Sequence, residues 1–322
     1  MLFNYISEYF SQLNKPHFFI CTVFTALLIT GNYYWGWEKQ WIYNLPSRPQ
    51  RVLGFYFIYG MAFTLPYLLY GWMSTGAALS LPPALRWMLI LAPLIFALKS
   101  GIGGWQEMIQ AARPGVQGYR LNVLVNWPIR LVVTVSILMI LYAVLRQSGL
   151  ISVAGTSGFL PDFANAMGLR LKEVNWTPYL IMLALVIPLV SFAATQADFL
   201  QTYPKMKLLQ LQTNPVPNLW QKLAFQLAYG SDFLTIELFF RGFLVVLAAR
   251  FVGPAAILPM AVLYCSIHFG KPLLECISSY FGGLLLGIFA CYSGSIYGGI
   301  VVHLGLAWMM ELAATIALYW KR

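Results

Sequence analysis

Apolar runs long enough to cross a bilayer recur near 18–36, 52–73, 81–99, 123–145 and 176–197, and again near 219–250, 254–269, 272–292 and 295–320. A hydrocarbon core of about 30 Å takes about 20 helical residues to cross. The pattern therefore predicts an all-α, polytopic transmembrane helical bundle of eight or nine spans. The seventh run is short, and the sixth starts in a polar, interfacial stretch. Between the runs, residues 100–120 mix Trp105, Met108 and Ile109 with charges, as an interfacial helix does. Residues 147–175 contain Gly, Ser and Pro and predict a surface loop with a short amphipathic helix. Residues 198–218, with Lys205, Lys207, Pro215 and Pro217, read as a linker. The expected division is thus an N-terminal transmembrane bundle over 1–218 and a C-terminal one over 219–322. Tyr33, Tyr34, Trp35, Trp37 and Trp41 cluster at a span end as an interfacial aromatic belt.

Composition supports a membrane protein and excludes an ordinary soluble domain. Hydrophobic residues make up 60% of the 322-residue chain and charged residues only 9%, against about a quarter charged in globular proteins. A net charge of +10 does not indicate nucleic acid, because the bases are scattered singly between apolar runs. Basic loops on the cytoplasmic side explain the excess better, and with nine spans they place the C-terminus in the cytoplasm. The expected partners are membrane lipids and a membrane-associated peptide or protein substrate, and the expected location is the cell (inner) membrane, spanned many times. Cys21, Cys265, Cys276 and Cys291 all lie in apolar stretches and suit buried small residues better than a disulfide framework. No small-residue cleavage site follows the first apolar run, so it reads as an anchor that stays.

Polar residues at membrane depth are costly and usually face a protein interior. Four of the ten acids, Asp232, Glu237, Glu275 and Glu311, lie after residue 230, with Arg241 and two of the three histidines, His268 and His303. Glu237 and Arg241 stand at i and i+4 in the favourable order for a helical ion pair. Asp232 shares a face with Ile236, and His303, Ala307 and Glu311 fall on one stripe. Gly270 and Pro272 break the chain just after His268. Two histidines near acids point to a shared polar site more than either does alone. Gly283-x-x-x-Gly287 and Gly294-x-x-x-Gly298 predict closely packed helices.

Three blocks then stand in order: Ile236-Glu237-Leu238-Phe239-Phe240-Arg241-Gly242, Tyr264-Cys265-Ser266-Ile267-His268, and His303-Leu304-Gly305-Leu306-Ala307. Together they resemble the CAAX protease and bacteriocin-processing (abortive-infection) family of intramembrane metalloproteases, whose pattern is Glu-Glu-x-x-x-Arg, Phe-x-x-x-His and His-x-x-x-Asn. The resemblance covers roughly 220–315. It implies an endopeptidase in which the first glutamate and first histidine activate water, while the later histidine and asparagine stabilise the oxyanion. It also implies a zinc question: His268 and His303 with carboxylates could furnish a metal site or serve a metal-free mechanism.

The chain departs from the pattern at two places: Ile236 replaces the first glutamate and Ala307 the asparagine. Two readings follow. In an active peptidase, the catalytic set is Glu237, His268 and His303, supported by Arg241, Asp232 and Glu311. Glu237 or Asp232 then stands in as base with His268, and His303 carries the oxyanion with Glu311 behind it. In the alternative, the chain is a non-catalytic member that acts as a membrane binding, immunity or scaffold protein. A transporter is less attractive, because the polarity is confined to the C-terminal half.

Overall fold

The computed structural model describes residues 2–77, 81–101, 103–151, 158–171, 174–210 and 217–320. Helices fill them, and no strand occurs among the described residues. Among the described residues seven helices are long and apolar enough to cross a membrane: Lys15–Trp35, Arg48–Thr75, Pro83–Gly101, Val116–Gln147, Leu219–Ser266, Leu273–Ser293 and Tyr297–Trp320. The protein is an all-α, polytopic integral membrane protein. The count differs from eight or nine for two identifiable reasons. Thr177–Ala193 is apolar but only 17 residues long. Leu219–Ser266 is a single run of 48 residues, roughly 70 Å of helix and so more than twice a hydrocarbon core. A 3₁₀ turn at Gly253–Ala256, containing Pro254, interrupts that run where the sequence separates its sixth and seventh spans.

The shorter elements follow local sequence. Phe159–Ala166 is the short helix expected within 147–175, and Trp105–Ala112 a short helix within 100–120 with none of its residues buried. Pro215, expected in the linker, lies outside the described residues. Asn14 caps the first span by accepting the His17 backbone N–H at 3.0 Å. Ser47 and Gln50 form a reciprocal capping box at the start of the second. The first span ends at Gly36 with φ 66°, a left-handed turn that costs glycine little. A six-residue π-turn, Trp37–Ile42, follows directly.

The contacts gather into two units. One comprises residues 1–102, 136–174 and 238–296; the other comprises 103–135, 175–237 and 297–322. In the first unit a run of ring contacts passes from Phe55 to Tyr59, Phe96, Phe240 and Tyr264, at centroid separations of 5.0–5.8 Å. Close packing at the expected small residues completes it: Gly283 lies against Tyr264, and Gly287 against Met260. Cys265 and Cys276 face each other with sulfurs 3.9 Å apart and remain free thiols. The third histidine, His17, is structural, its Nε2 donating to the Pro66 carbonyl at 2.8 Å.

In the second unit the last helix packs on Thr177–Ala193. Gly298 lies against the Tyr179 ring and Gly305 against Leu183, so any side chain at either position meets its neighbour. Val190, Ala194, Phe199, Tyr203, Met310 and Ala314 form an apolar cluster beside this seam.

Candidate active site

In the second unit, Leu219–Glu237 and Tyr297–Trp320 bring together two residues 66 positions apart. His303 Nδ1 and Glu237 Oε1 are 2.5 Å apart, with the glutamate side chain fully buried and the histidine 10% exposed. Because a carboxylate only accepts, Nδ1 of His303 carries a proton in this contact. The Phe233 ring lies nearly parallel to the imidazole, 6.0 Å between centroids and 21° between planes, and fixes its tilt. Backbone fits closely behind the carboxylate: a Cβ on Gly299 would come within 2.0 Å of Glu237 Oε2. The pair is thus held on three sides.

In the first unit the polar residues group around Tyr264. Glu237 ends α-helical geometry, and Leu238–Leu247 continues as a π-helix in which Arg241 is fully buried. The Arg241 guanidinium carbon stands 4.4 Å above the Tyr264 ring centroid, a cation–π contact worth about 2 kcal/mol when desolvated. The simple helical ion pair read from the i and i+4 spacing therefore omits an aromatic contact that orients the arginine. His268 follows the Ile257–Ser266 helix, with its ring edge-on to Tyr264 at 4.7 Å and Nδ1 2.8 Å from the Tyr264 carbonyl. That carbonyl can only accept, so Nδ1 carries a proton in this contact.

The supporting acids fare differently. Both Glu311 oxygens accept backbone N–H groups, from Lys205 and, at 3.0 Å, from Met206. Glu311 thereby ties the 203–206 turn to the last helix, a structural duty that the stripe shared with His303 does not reveal. Asp232 is half-buried on the same helix as Glu237, next to the Phe233 that stacks on His303.

Both altered positions are buried. Ile236 is 8% exposed, and Ala307 at 3% belongs to a cluster with Leu209, Phe225 and Tyr229. An asparagine at 307 would place an amide among these side chains. Ala307→Asn is therefore expected to destabilise the protein by about 1–3 kcal/mol without gain of activity. A lowered thermal midpoint in detergent is the expected reading; an unchanged midpoint would show that the cluster holds a polar partner.

Among the described residues no three His, Cys, Asp or Glu gather to hold one ion, whereas a catalytic zinc takes three protein ligands. Glu237 Oε1 and His303 Nδ1 are also committed to each other.

One acid at a polar turn was missed by sequence reasoning. Glu38, in the π-turn after the first span, is 9% exposed. Its backbone N–H donates to Asn32 Oδ1 at 3.1 Å, and Asn32 Nδ2 donates to the Phe269 carbonyl at 2.9 Å. Tyr33 donates its hydroxyl to the Lys271 carbonyl at 2.5 Å. The only signal in the sequence is a single acid inside an aromatic-rich turn between two spans.

No curated protein and no solved structure matches the chain. Residues 217–309 match the family described as Type II CAAX prenyl endopeptidase Rce1-like. The match takes in all three sequence blocks, including Glu237, His268 and His303, and stops before Glu311. Over residues 217–309 the chain is therefore similar to the Rce1-like family of CAAX prenyl endopeptidases.

Proposed function

We propose that the protein is an intramembrane endopeptidase of the CAAX-processing type, hydrolysing a peptide bond of a membrane-associated chain, with prenylated chains among the candidates. The observation that carries this reading is the buried Glu237–His303 pair, formed between two of the family's three blocks. A carboxylate that fixes one imidazole nitrogen and supports charge on the ring is the arrangement acyl chemistry uses repeatedly. In hydrolysis a water gives a proton to a base as its oxygen bonds to the carbonyl carbon. The C–N bond then breaks, and the amine leaves with that proton. His268, with Nδ1 committed to a carbonyl, suits a group that helps to orient the attacking water. His303 suits the group that stabilises the oxyanion, because a doubly protonated ring beside the Glu237 carboxylate has an N–H at Nε2 to donate. The cell (inner) membrane is the proposed location.

The test compares protein termini, by mass spectrometry, in membranes from cells carrying wild-type protein or His268→Ala. Termini that vanish in the variant at equal protein level support a peptidase and name its substrates. A second reading has its own observation: Ala307 sits in an apolar cluster where the family pattern has Asn, and Ile236 is buried where it has Glu. Identical termini in the two membranes would favour this reading, a non-catalytic member that binds a membrane chain as an immunity or scaffold protein.

A further inference from the structure

The loop after His268 is held by the N-terminal part of the chain, within one unit. Three neighbouring residues of that part reach it: Asn32 at the Phe269 carbonyl, Tyr33 at the Lys271 carbonyl, and Glu38 at Gly270. A Cβ on Gly270 would lie 2.7 Å from Glu38 Oε1, so the carboxylate rests directly on the backbone two residues beyond His268. Asn32 links the two sides, accepting the Glu38 N–H while donating to Phe269. Packing alone does not call for an acid here, since a buried carboxylate is costly. The family's first-block acid is absent, with Ile236 in its place.

We propose that Glu38 is a further catalytic carboxylate, working beside His268 as the proton acceptor that Ile236 cannot be. This rests on the peptidase reading above. The water's proton passes to Glu38 as the hydroxide oxygen bonds to the peptide carbonyl carbon; the C–N bond breaks, and Glu38 returns the proton to the leaving amine. Such a group works best when it can both take and release a proton near neutrality. Burial pushes the Glu38 carboxyl up to about 7, against the opposing effects of the Tyr43 hydroxyl, Lys39 and Lys271.

Glu38→Gln separates chemistry from packing, because glutamine keeps the volume and can still accept from Tyr43 but cannot serve as a base. Termini in membranes carrying wild type, His268→Ala and Glu38→Gln decide between them. The expected result is that the termini lost in His268→Ala fall at least about 100-fold in Glu38→Gln, at equal protein level. Loss in His268→Ala with retention in Glu38→Gln overturns the role of Glu38 and leaves the peptidase standing. No loss in either variant overturns both. Gly270→Ala is an independent check if Glu38→Gln does not accumulate, since it leaves Glu38 in the chain but displaces its carboxylate. The same termini should then drop about 10-fold or more, and full retention overturns the proposal.

Discussion

Glu237→Gln is expected to lower cleavage by about 10²–10⁴-fold while the protein accumulates at its normal level. Glutamine has the same shape and its carbonyl can still accept from His303 Nδ1, so the two helices keep their register. What it removes is the negative charge that supports a positive imidazole ring as charge develops. The Glu237 side chain is fully buried, so solvent cannot replace that charge. The rate is read with a substrate peptide identified from the termini comparison, and the amount of enzyme from an immunoblot. A rate within about threefold of wild type would reduce Glu237 to a packing residue, because a role in acid–base chemistry requires at least about a hundredfold.

Gly299→Ala should be nearly as damaging, for a steric reason. The added Cβ would stand 2.0 Å from Glu237 Oε2 and 2.7 Å from its carboxyl carbon, well inside contact distance. A surface carboxylate would swing away. This one is enclosed and bonded to His303, so moving it breaks the pair. Overpacking of this kind costs about 1–3 kcal/mol, and the displaced carboxylate removes activity as well. Gly282→Ala serves as the control, because nothing lies within 4 Å of a Cβ there. The account expects reduced thermal stability and cleavage in Gly299→Ala alone. Equal behaviour of the two variants would show that the carboxylate has room to retreat.

The spans were legible because a bilayer imposes a length and an apolar composition that the chain displays directly. The three blocks were legible because their order and spacing survive in the sequence. Partnership was harder to read, since helical periodicity reports only neighbours three or four residues away. It paired Glu237 with Arg241 and Glu311 with His303. It could not show that Glu237 also meets His303 across 66 residues, or that Glu311 caps the backbone at Lys205 and Met206. Glu38 was illegible for the same reason: only the folded chain shows that it lies against Gly270. The small-residue positions Gly283 and Gly287 were anticipated correctly, because close helix packing leaves a local sequence signature.

The central claim is that Glu237 and His303 act as one functional unit, and a double-mutant cycle tests it most directly. Cleavage of one identified peptide is measured for wild type, Glu237→Gln, His303→Ala and the double variant in lipid nanodiscs. Residues that work as a pair are non-additive, so each single variant should lose most of the activity and the double variant little more. Losses that multiply, or a Glu237→Gln protein as active as wild type, would contradict the account and separate the two residues.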